Sequence, residues 1–271
     1  MTSDPSVSII TVSYNSSATI GRTIESVLAQ SVPPLEYLII DGASTDATLE
    51  IAGNYRKAFE DKGIAFKTVS EPDNGIYDAM NKGIALASGD IIGMINSDDW
   101  YEPTAVETVR NTYKEEPFDL FYADLRMHMP SGGTFVKHSR NRRYATSRDW
   151  NHPTTFITKE MYGKYRYRNE TIHDDYDLIL RLKKAGARIT VKNTVIANFT
   201  MNGTSHERNV KKAMERVRIK YRIYRDNGYS RFYFLECFAV EAAKLIVGSP
   251  EDNVTEVKVK RAGDGLKITA K

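Results

Sequence analysis

The feature that most constrains the fold is a regular alternation of continuous apolar runs with amphipathic helical stretches in the N-terminal part of the chain. The apolar runs cover residues 7–13, 35–40, 64–69 and 91–95 and are rich in β-branched residues. That composition is typical of strands buried on both faces. Strands that alternate with helices in this way predict an α/β protein with a doubly wound, mostly parallel sheet.

Acidic residues follow two of these runs. Asp41 ends the second run, and Asp98 and Asp99 follow the fourth. Open α/β sheets bind ligands outside the carboxyl ends of their strands, so this placement predicts a nucleotide or phosphate ligand. The adjacent carboxylates could hold a hard divalent cation, which prefers oxygen ligands. On the dipeptide alone, a helix cap or a solvated turn is the alternative.

The order of the elements changes near residue 120. Residues 124–138 contain two strand-like segments around a Pro-Ser-Gly-Gly turn, which is a hairpin signature. Two helical patterns follow, and the tail alternates in a way that permits a terminal hairpin. We predict a main domain at 1–205, with a nucleotide half at 1–120 and a second-substrate half at 121–205, then C-terminal helices at 206–250 and a tail at 251–271.

Composition excludes several classes of protein. A net charge of +3 over 271 residues does not indicate a nucleic-acid partner. The sequence has no apolar run of membrane-spanning length and no basic secretory leader, and its single cysteine, Cys237, excludes an internal disulfide framework. We therefore expect a cytoplasmic protein. The basic stretch at 207–225 is either a solvated helix face or a peripheral contact with an anionic membrane surface.

Six segments resemble, in the right order, the landmarks of the inverting family 2 glycosyltransferases of the GT-A fold. They are VSIITVSYN, IIDGASTDATLEIA, GIYDAMNKGIALASGDIIGMINSDDW, HPTTFI, DDYDLILRL and NGTS. The third is the most specific and is similar to a branch that works in bacterial surface polysaccharide biosynthesis. One Asp of the common Asp-Asp pair is Gly42 here. The resemblance implies a Rossmann-like, mostly parallel sheet flanked by helices, with a small antiparallel part and C-terminal helices.

The resemblance also implies a reaction. The enzyme would move a sugar, with inversion, from a nucleotide-sugar donor, expected to be UDP-linked, to a glycan or lipid-linked acceptor. It would use Mn²⁺ or Mg²⁺ and could contact the inner face of the membrane peripherally. Two alternatives are a nucleotide-sugar-binding protein without turnover and a sugar nucleotidyltransferase, although the sequence lacks a glycine-rich, basic activating loop near its N-terminus. Dinucleotide and P-loop motifs are also missing.

On the donor side, the resemblance implies roles for residues in the first and third segments. Tyr14 would lie against the nucleotide base, Asp41 would accept a hydrogen bond from the base, and Thr11 would shape the same pocket. Asp78 and Lys82 share a helix face and would lie near the ribose, diphosphate or donor sugar. Core packing is the alternative for Tyr14, and an exposed ion pair is the alternative for Asp78 and Lys82.

The resemblance implies a metal site beside the donor. Asp98 would contact the ribose or the metal, and Asp99 would be the principal metal ligand. His206 lies where some GT-A enzymes supply a third ligand. The metal would neutralise charge that develops on the departing nucleoside diphosphate.

The acceptor side needs a base that removes a proton from the attacking hydroxyl. Asp175 is the candidate, because its segment matches the family's acidic pair before a helix. Asp174 or Asp177 could instead hold that position, and helix capping is the alternative for all three. A helix N-terminus lowers the pKa of a carboxylate, so a raised value is not assumed. His152 would face the acceptor or the diphosphate, as Asp174 could, with a structural histidine as the alternative.

Overall fold

The computed structural model describes residues 4–130, 132–201, 210–247, 258–262 and 265–269. Its main element is a nine-stranded sheet in the order β3-β2-β1-β4-β8-β6-β9-β5, with β7 paired to β6. The strands are β1 (Val7–Ser13), β2 (Glu36–Asp41), β3 (Ala65–Ser70), β4 (Ile91–Met94), β5 (Trp100–Tyr101), β6 (Leu120–His128), β7 (Thr134–Lys137), β8 (Phe156–Thr158) and β9 (Ile189–Thr200). The helices are α1 (Ile20–Leu28), α2 (Thr48–Asn54), α3 (Arg56–Asp61), α4 (Ile76–Leu86), α5 (Ala105–Glu115), α6 (Lys159–Lys164), α7 (Asp174–Lys184), α8 (Val210–Asp226) and α9 (Tyr233–Val247).

The first four strands form the predicted parallel part of the sheet. β1 pairs in parallel with β2 and β4, and β2 pairs in parallel with β3. Every residue of β1, β2 and β4 is buried. Ile9 and Ile10 belong to different hydrophobic clusters, because successive side chains of a strand point to opposite faces. Helices therefore cover both faces of the sheet, and the predicted doubly wound α/β fold is confirmed.

The second half of the sheet mixes strand directions. β8 runs antiparallel between β4 and β6, whereas β6 and β9 are parallel and β5 is antiparallel to β9. β6 and β7 form an antiparallel hairpin in the region where residues 124–138 predicted one. The small antiparallel part expected of the fold is therefore present.

The C-terminal region contains the helices α8 and α9, which pack against each other. Beyond them, β10 (Lys258–Ala262) and β11 (Gly265–Thr269) form a separate two-stranded antiparallel sheet. Within the residues that the structure describes, no helix combines the length and the apolar character needed to cross a membrane.

Gly93 lies where β4 passes close to a buried side chain of β8. It pairs with Phe156, and a Cβ added to it would lie 2.3 Å from Cε1 of that ring. Because Phe156 is fully buried in a close-packed interior, the ring has little room to move.

We expect Gly93→Ala to lower the free energy of unfolding by about 1–3 kcal/mol through overpacking. Urea denaturation measures the change. Gly53→Ala in α2 is the matched control, because its added Cβ would meet nothing within 4 Å, and alanine favours a helix. Equal losses in the two variants would contradict this explanation.

Candidate active site

An open cleft of about 600 Å³ lies at the carboxyl ends of β1 and β4. Its walls are the end of β1 with the following loop, the segment that leads into α4, and the residues after β4. The lining includes Tyr14, Asp73, Ile76, Asn96 and Asp98. Two of the predicted donor-side residues, Tyr14 and Asp98, therefore lie in one cleft.

Tyr14 lies where a planar ligand could stack. Its side chain is 65% exposed. Beside it, a Cβ at Gly42 would lie 2.6 Å from the Asp73 carboxylate and 3.4 Å from the Tyr14 ring. The glycine at the position of a common family aspartate thus leaves room for Asp73. Sequence reasoning did not select Asp73, although the Asp-Asn-Gly turn that contains it was a visible signal.

Asp41 and Thr11 lie beneath the cleft and do not face it. Asp41 is 0% exposed, and its carboxylate accepts hydrogen bonds from Ser13, Ser44 and Ser70. The Thr11 hydroxyl, also 0% exposed, accepts a hydrogen bond of 2.9 Å from Tyr37. The roles predicted for Asp41 at the nucleotide base and for Thr11 in the same pocket stay predictions. Asp41 joins the ends of three strands, and Thr11 packs inside the sheet.

Asp78 and Lys82 also lie off the cleft lining. Their charged groups are 3.5 Å apart, and Lys82 also contacts Glu71 at 3.0 Å. Asp78 accepts a hydrogen bond from the backbone of Asn74, which lowers the pKa of Asp78. Both residues hold the loop before α4 in place. These contacts give both residues a positioning role, and their predicted place near the ribose, diphosphate or donor sugar stays a prediction.

The adjacent carboxylates after β4 have different environments. Asp98 lines the cleft, whereas Asp99 is 0% exposed. Neither carboxylate oxygen of Asp99 has a hydrogen-bond partner in the described part of the chain. Burial, and then the charge of Asp98, raise the pKa of Asp99 well above its ordinary value. Asp98 thus faces the cleft and Asp99 lies behind it, and their predicted roles as metal ligands stay predictions.

Arg22 holds this segment and was not predicted. Its guanidinium donates a hydrogen bond of 2.8 Å to the backbone carbonyl of Asp98. It also lies 3.6 Å from the centre of the Trp100 ring, and burial lowers its pKa. Arg22 is on α1, far from Asp98 in sequence, so no local pattern could have identified the contact.

The two carboxylates fit a divalent cation. A buried carboxylate with no hydrogen-bond donor is costly, and a cation nearby would compensate it. Ions such as Mg²⁺ are commonly bound through one or two carboxylates together with substrate phosphates. Among the described residues, no group of three or more His, Cys, Asp or Glu side chains could hold a metal. His206 lies at 202–209, outside the described residues.

A second cavity, of about 220 Å³, lies at the start of α7. Its lining includes Trp150, His152, Asp175, Tyr176 and Lys220. The structure thus brings together Asp175 and His152, which sequence reasoning placed on the acceptor side. Nδ1 of His152 is 4.0 Å from a carboxylate oxygen of Asp175.

The three acidic residues of α7 have separate roles. Asp174 is 2% exposed and accepts hydrogen bonds from Glu170 and Thr171. Asp177 is 1% exposed and pairs with Arg181 at 2.7 Å. Asp175 has a side chain that is 24% exposed and lines the cavity. Of the three candidates for a base, Asp175 is therefore the one that a substrate could reach.

Burial in the cavity shifts the pKa values of Asp175 and His152. Burial raises the pKa of Asp175, while His152 and the backbone N–H of Tyr176 act to lower it. The rise that burial causes in the pKa of Asp175 therefore exceeds the lowering expected at a helix N-terminus. Burial also lowers the pKa of His152, and its Nε2 has no hydrogen-bond partner among the described residues.

The first turn of α4 lies beside both the cleft and Asp175. Ile76 lines the cleft, and the next residue, Tyr77, lies close enough to Asp175 to act on the pKa of that carboxyl. The Tyr77 hydroxyl also donates a hydrogen bond of 3.1 Å to the backbone of Ile172, and its ring stacks on Tyr167. Tyr77 was missed from sequence, because an apolar-looking residue on a helix predicts core packing.

Sequence comparison identifies similar proteins. A profile described as "Glycosyl transferase family 2" matches residues 8–185. A PGL/p-HBAD biosynthesis glycosyltransferase from Mycobacterium tuberculosis strain ATCC 25177 / H37Ra is 30% identical over 210 residues, which cover 73% of this chain and 78% of that protein. A chondroitin synthase from Escherichia coli is 27% identical over 234 residues. That match covers 80% of this chain but 34% of the synthase.

Solved structures share the fold. S. aureus TarS 1-349 in complex with UDP-GlcNAc has a TM-score of 0.64 at 17% identity, covering 93% of this chain and 76% of that one. The mannosyltransferase PcManGT from Pyrobaculum calidifontis, in complex with GDP-Man and Mn²⁺, has a TM-score of 0.66 at 15% identity. That alignment covers 91% of this chain and 75% of PcManGT. Similarity at these identities concerns the fold alone.

Proposed function

Because the chain belongs to glycosyl transferase family 2, we propose that it is an inverting, divalent-metal-dependent enzyme with a UDP-linked sugar as its donor. Its acceptor is a glycan or a lipid-linked sugar of bacterial surface polysaccharide synthesis. The observation that carries the proposal is a pair of accessible carboxylates, with Asp98 in the cleft, Asp175 in the second cavity, and the first turn of α4 beside both.

The comparisons support the choice of donor and metal. TarS structures contain UDP in one case and UDP-GlcNAc in another. The PcManGT structure contains GDP-Man and Mn²⁺. By analogy, the cleft with Tyr14 at its surface takes the nucleotide. Asp98 and Asp99 would hold Mn²⁺ or Mg²⁺, which would act as a Lewis acid toward the diphosphate.

The chemistry assigned to the chain is a single displacement. Asp175 removes the proton from the acceptor hydroxyl as that oxygen attacks the anomeric carbon of the donor sugar. The bond from this carbon to the diphosphate oxygen breaks on the opposite face, so the configuration inverts. His152 and Tyr77 position Asp175 and exclude water from part of its surroundings. A binding protein without turnover would have no need of this second carboxylate.

We place the reaction in the cytoplasm, at the inner face of the membrane when the acceptor is lipid-linked. The free, buried Cys237 is compatible with a reducing compartment. Contact with the membrane would be peripheral.

The test is thermal unfolding with UDP and Mn²⁺ present together. We expect the melting temperature to rise by roughly 5–10 °C at saturating ligand, because a bound ligand stabilises the folded state by mass action. Asp98→Asn should remove most of the rise that depends on Mn²⁺, since it takes a charged oxygen ligand out of the cleft.

Asp61→Asn, an exposed substitution on α3, is the matched control and should behave like the wild type. The proposal for the metal site fails if Asp98→Asn keeps the full Mn²⁺-dependent rise. The donor proposal fails if the wild type responds to no nucleotide or nucleotide-sugar with the metal present.

A further inference from the structure

The outward face of α9 is apolar. Phe234, Leu235 and Phe238 are 41%, 65% and 48% exposed, and Phe232, directly before the helix, is 67% exposed. Leu235 lies opposite buried Cys237 on the helix, and Phe234 and Phe238 lie between these two positions on one side. Contiguous exposed apolar patches of this kind mark interaction sites in proteins.

The neighbouring helix α8 presents a basic face. Its exposed residues recur at helical spacing, so they share one side of the helix. The exposed cations are Lys211, Lys212, Arg218, Arg222 and Arg225, and the exposed acids are Glu215 and Asp226. The outward side of α8 therefore carries a clear excess of positive charge.

The apolar and basic faces are continuous. Tyr221 on α8 packs edge-on against Phe234 on α9, with ring centres 5.6 Å apart. Tyr221 follows exposed Arg218 by three residues and so neighbours it on the helix, and Arg218 in turn lies four residues before exposed Arg222. We call this combined surface, formed by the exposed cations of α8 with Phe232, Phe234, Leu235 and Phe238, the α8–α9 face.

We propose that the α8–α9 face docks the protein on the surface of an anionic phospholipid bilayer. Its aromatic side chains and leucine would enter the headgroup region, and its cations would lie near the lipid phosphates. The positive charge of this face favours an anionic bilayer over a second copy of the chain as the bound partner. A two-fold contact through the same face would bring the α8 cations of both copies together.

The docking face and the candidate acceptor cavity share a helix. Lys220, on the inward side of α8, lines the cavity that contains Asp175. Arg218 and Arg222 lie on the outward side of the same helix. Docking would thus hold a lipid-linked acceptor in the bilayer close to the cavity with Asp175, where its hydroxyl would react. This consequence rests on the proposed function, whereas the docking itself does not.

The test is co-sedimentation of the full chain with vesicles of phosphatidylcholine, with or without phosphatidylglycerol. We expect binding to the vesicles that contain phosphatidylglycerol, weakened by added salt. Phe234→Ser and Phe238→Ser should each lower the partition coefficient roughly tenfold, because each removes a large apolar side chain. Arg218→Gln and Arg222→Gln should each lower it roughly fivefold on the anionic vesicles alone.

Two surface variants away from the α8–α9 face serve as controls. Phe135 is 45% exposed on β7, and Arg56 is exposed on α3, so Phe135→Ser and Arg56→Gln should bind like the wild type. Circular dichroism and the urea midpoint establish that each variant is folded.

The inference is overturned if the wild type does not bind anionic vesicles, or if control and face variants lose binding equally. It is also overturned if the face variants convert a dimer to a monomer on size exclusion without changing vesicle binding. Binding of UDP with Mn²⁺ is measured separately, so failure of this inference is distinguishable from failure of the proposed function.

Discussion

Asp175→Asn should lower the rate of sugar transfer by about 10²–10⁴-fold and leave the affinity for the nucleotide-sugar donor unchanged. The amide has nearly the same shape as the carboxylate but cannot take the proton of the acceptor hydroxyl. Donor affinity should survive because Asp175 lies in the second cavity and not in the cleft with Tyr14. Steady-state kinetics and donor titration measure the two quantities.

The pH profile provides an independent check on the same residue. Burial raises the pKa of Asp175 above its ordinary 3.8. The carboxylate therefore becomes a base only as the pH rises through this raised value, and transfer should fall on the acid side at a higher pH than an exposed aspartate would give. Asp61→Asn should keep the wild-type rate and profile. An Asp175→Asn enzyme with wild-type kcat would refute the assignment of the base.

Glu241→Ala should lower the free energy of unfolding by about 3–5 kcal/mol. Glu241 is 2% exposed and lies between two cations of α8, with Arg216 at 2.7 Å and Lys220 at 3.1 Å. Removal of the carboxylate leaves both cations buried without their shared counter-charge. Urea denaturation measures the loss.

Two comparisons separate this explanation from simple loss of packing. Replacing all three residues, as Arg216→Met, Lys220→Met and Glu241→Leu, should recover most of the stability, because an apolar cluster of similar volume needs no counter-charge. Glu160→Ala, which breaks an exposed pair with Lys164, should cost less than about 1 kcal/mol. A loss of that small size for Glu241→Ala would contradict the burial argument.

The parallel half of the fold was predictable because its signals are local. Continuous β-branched runs, helical spacing and the acidic residue after a run are each read within a short window. β1, β2 and β4 begin and end within a residue or so of the predicted runs. The sheet order beyond β4 was not predictable in this way. Insertion of β8 between β4 and β6 depends on residues that meet across the sheet, such as Gly93 and Phe156.

The candidate site was likewise predictable only where the signal was local in sequence. The structure brings Tyr14 and Asp98, both predicted from motif position, to one cleft, and it brings Asp175 and His152 to one cavity. Motif position could not say which way a side chain points. Asp41 ends β2, at the strand end that the sequence predicted, but its carboxylate already accepts hydrogen bonds from three serines.

The C-terminal helices show the same limit for a charged surface. Sequence identified α8 as basic but could not separate its inward cations from its outward ones. The structure pairs Arg216 and Lys220 with Glu241 inside, and leaves Arg218 and Arg222 outside. Periodicity alone cannot show which side of a helix another element covers. The exposed aromatic residues of α9 were missed for that reason.

The central claim is an inverting, metal-dependent transfer of a sugar from a nucleotide-sugar, and proton NMR of the first product tests it most directly. With an α-linked UDP-sugar, Mn²⁺ and the wild-type enzyme, we predict that the β-anomer appears first, whether the acceptor is a glycan or water. Addition of EDTA should stop the reaction. First appearance of the α-anomer, or turnover that continues undiminished in EDTA, would contradict the mechanism.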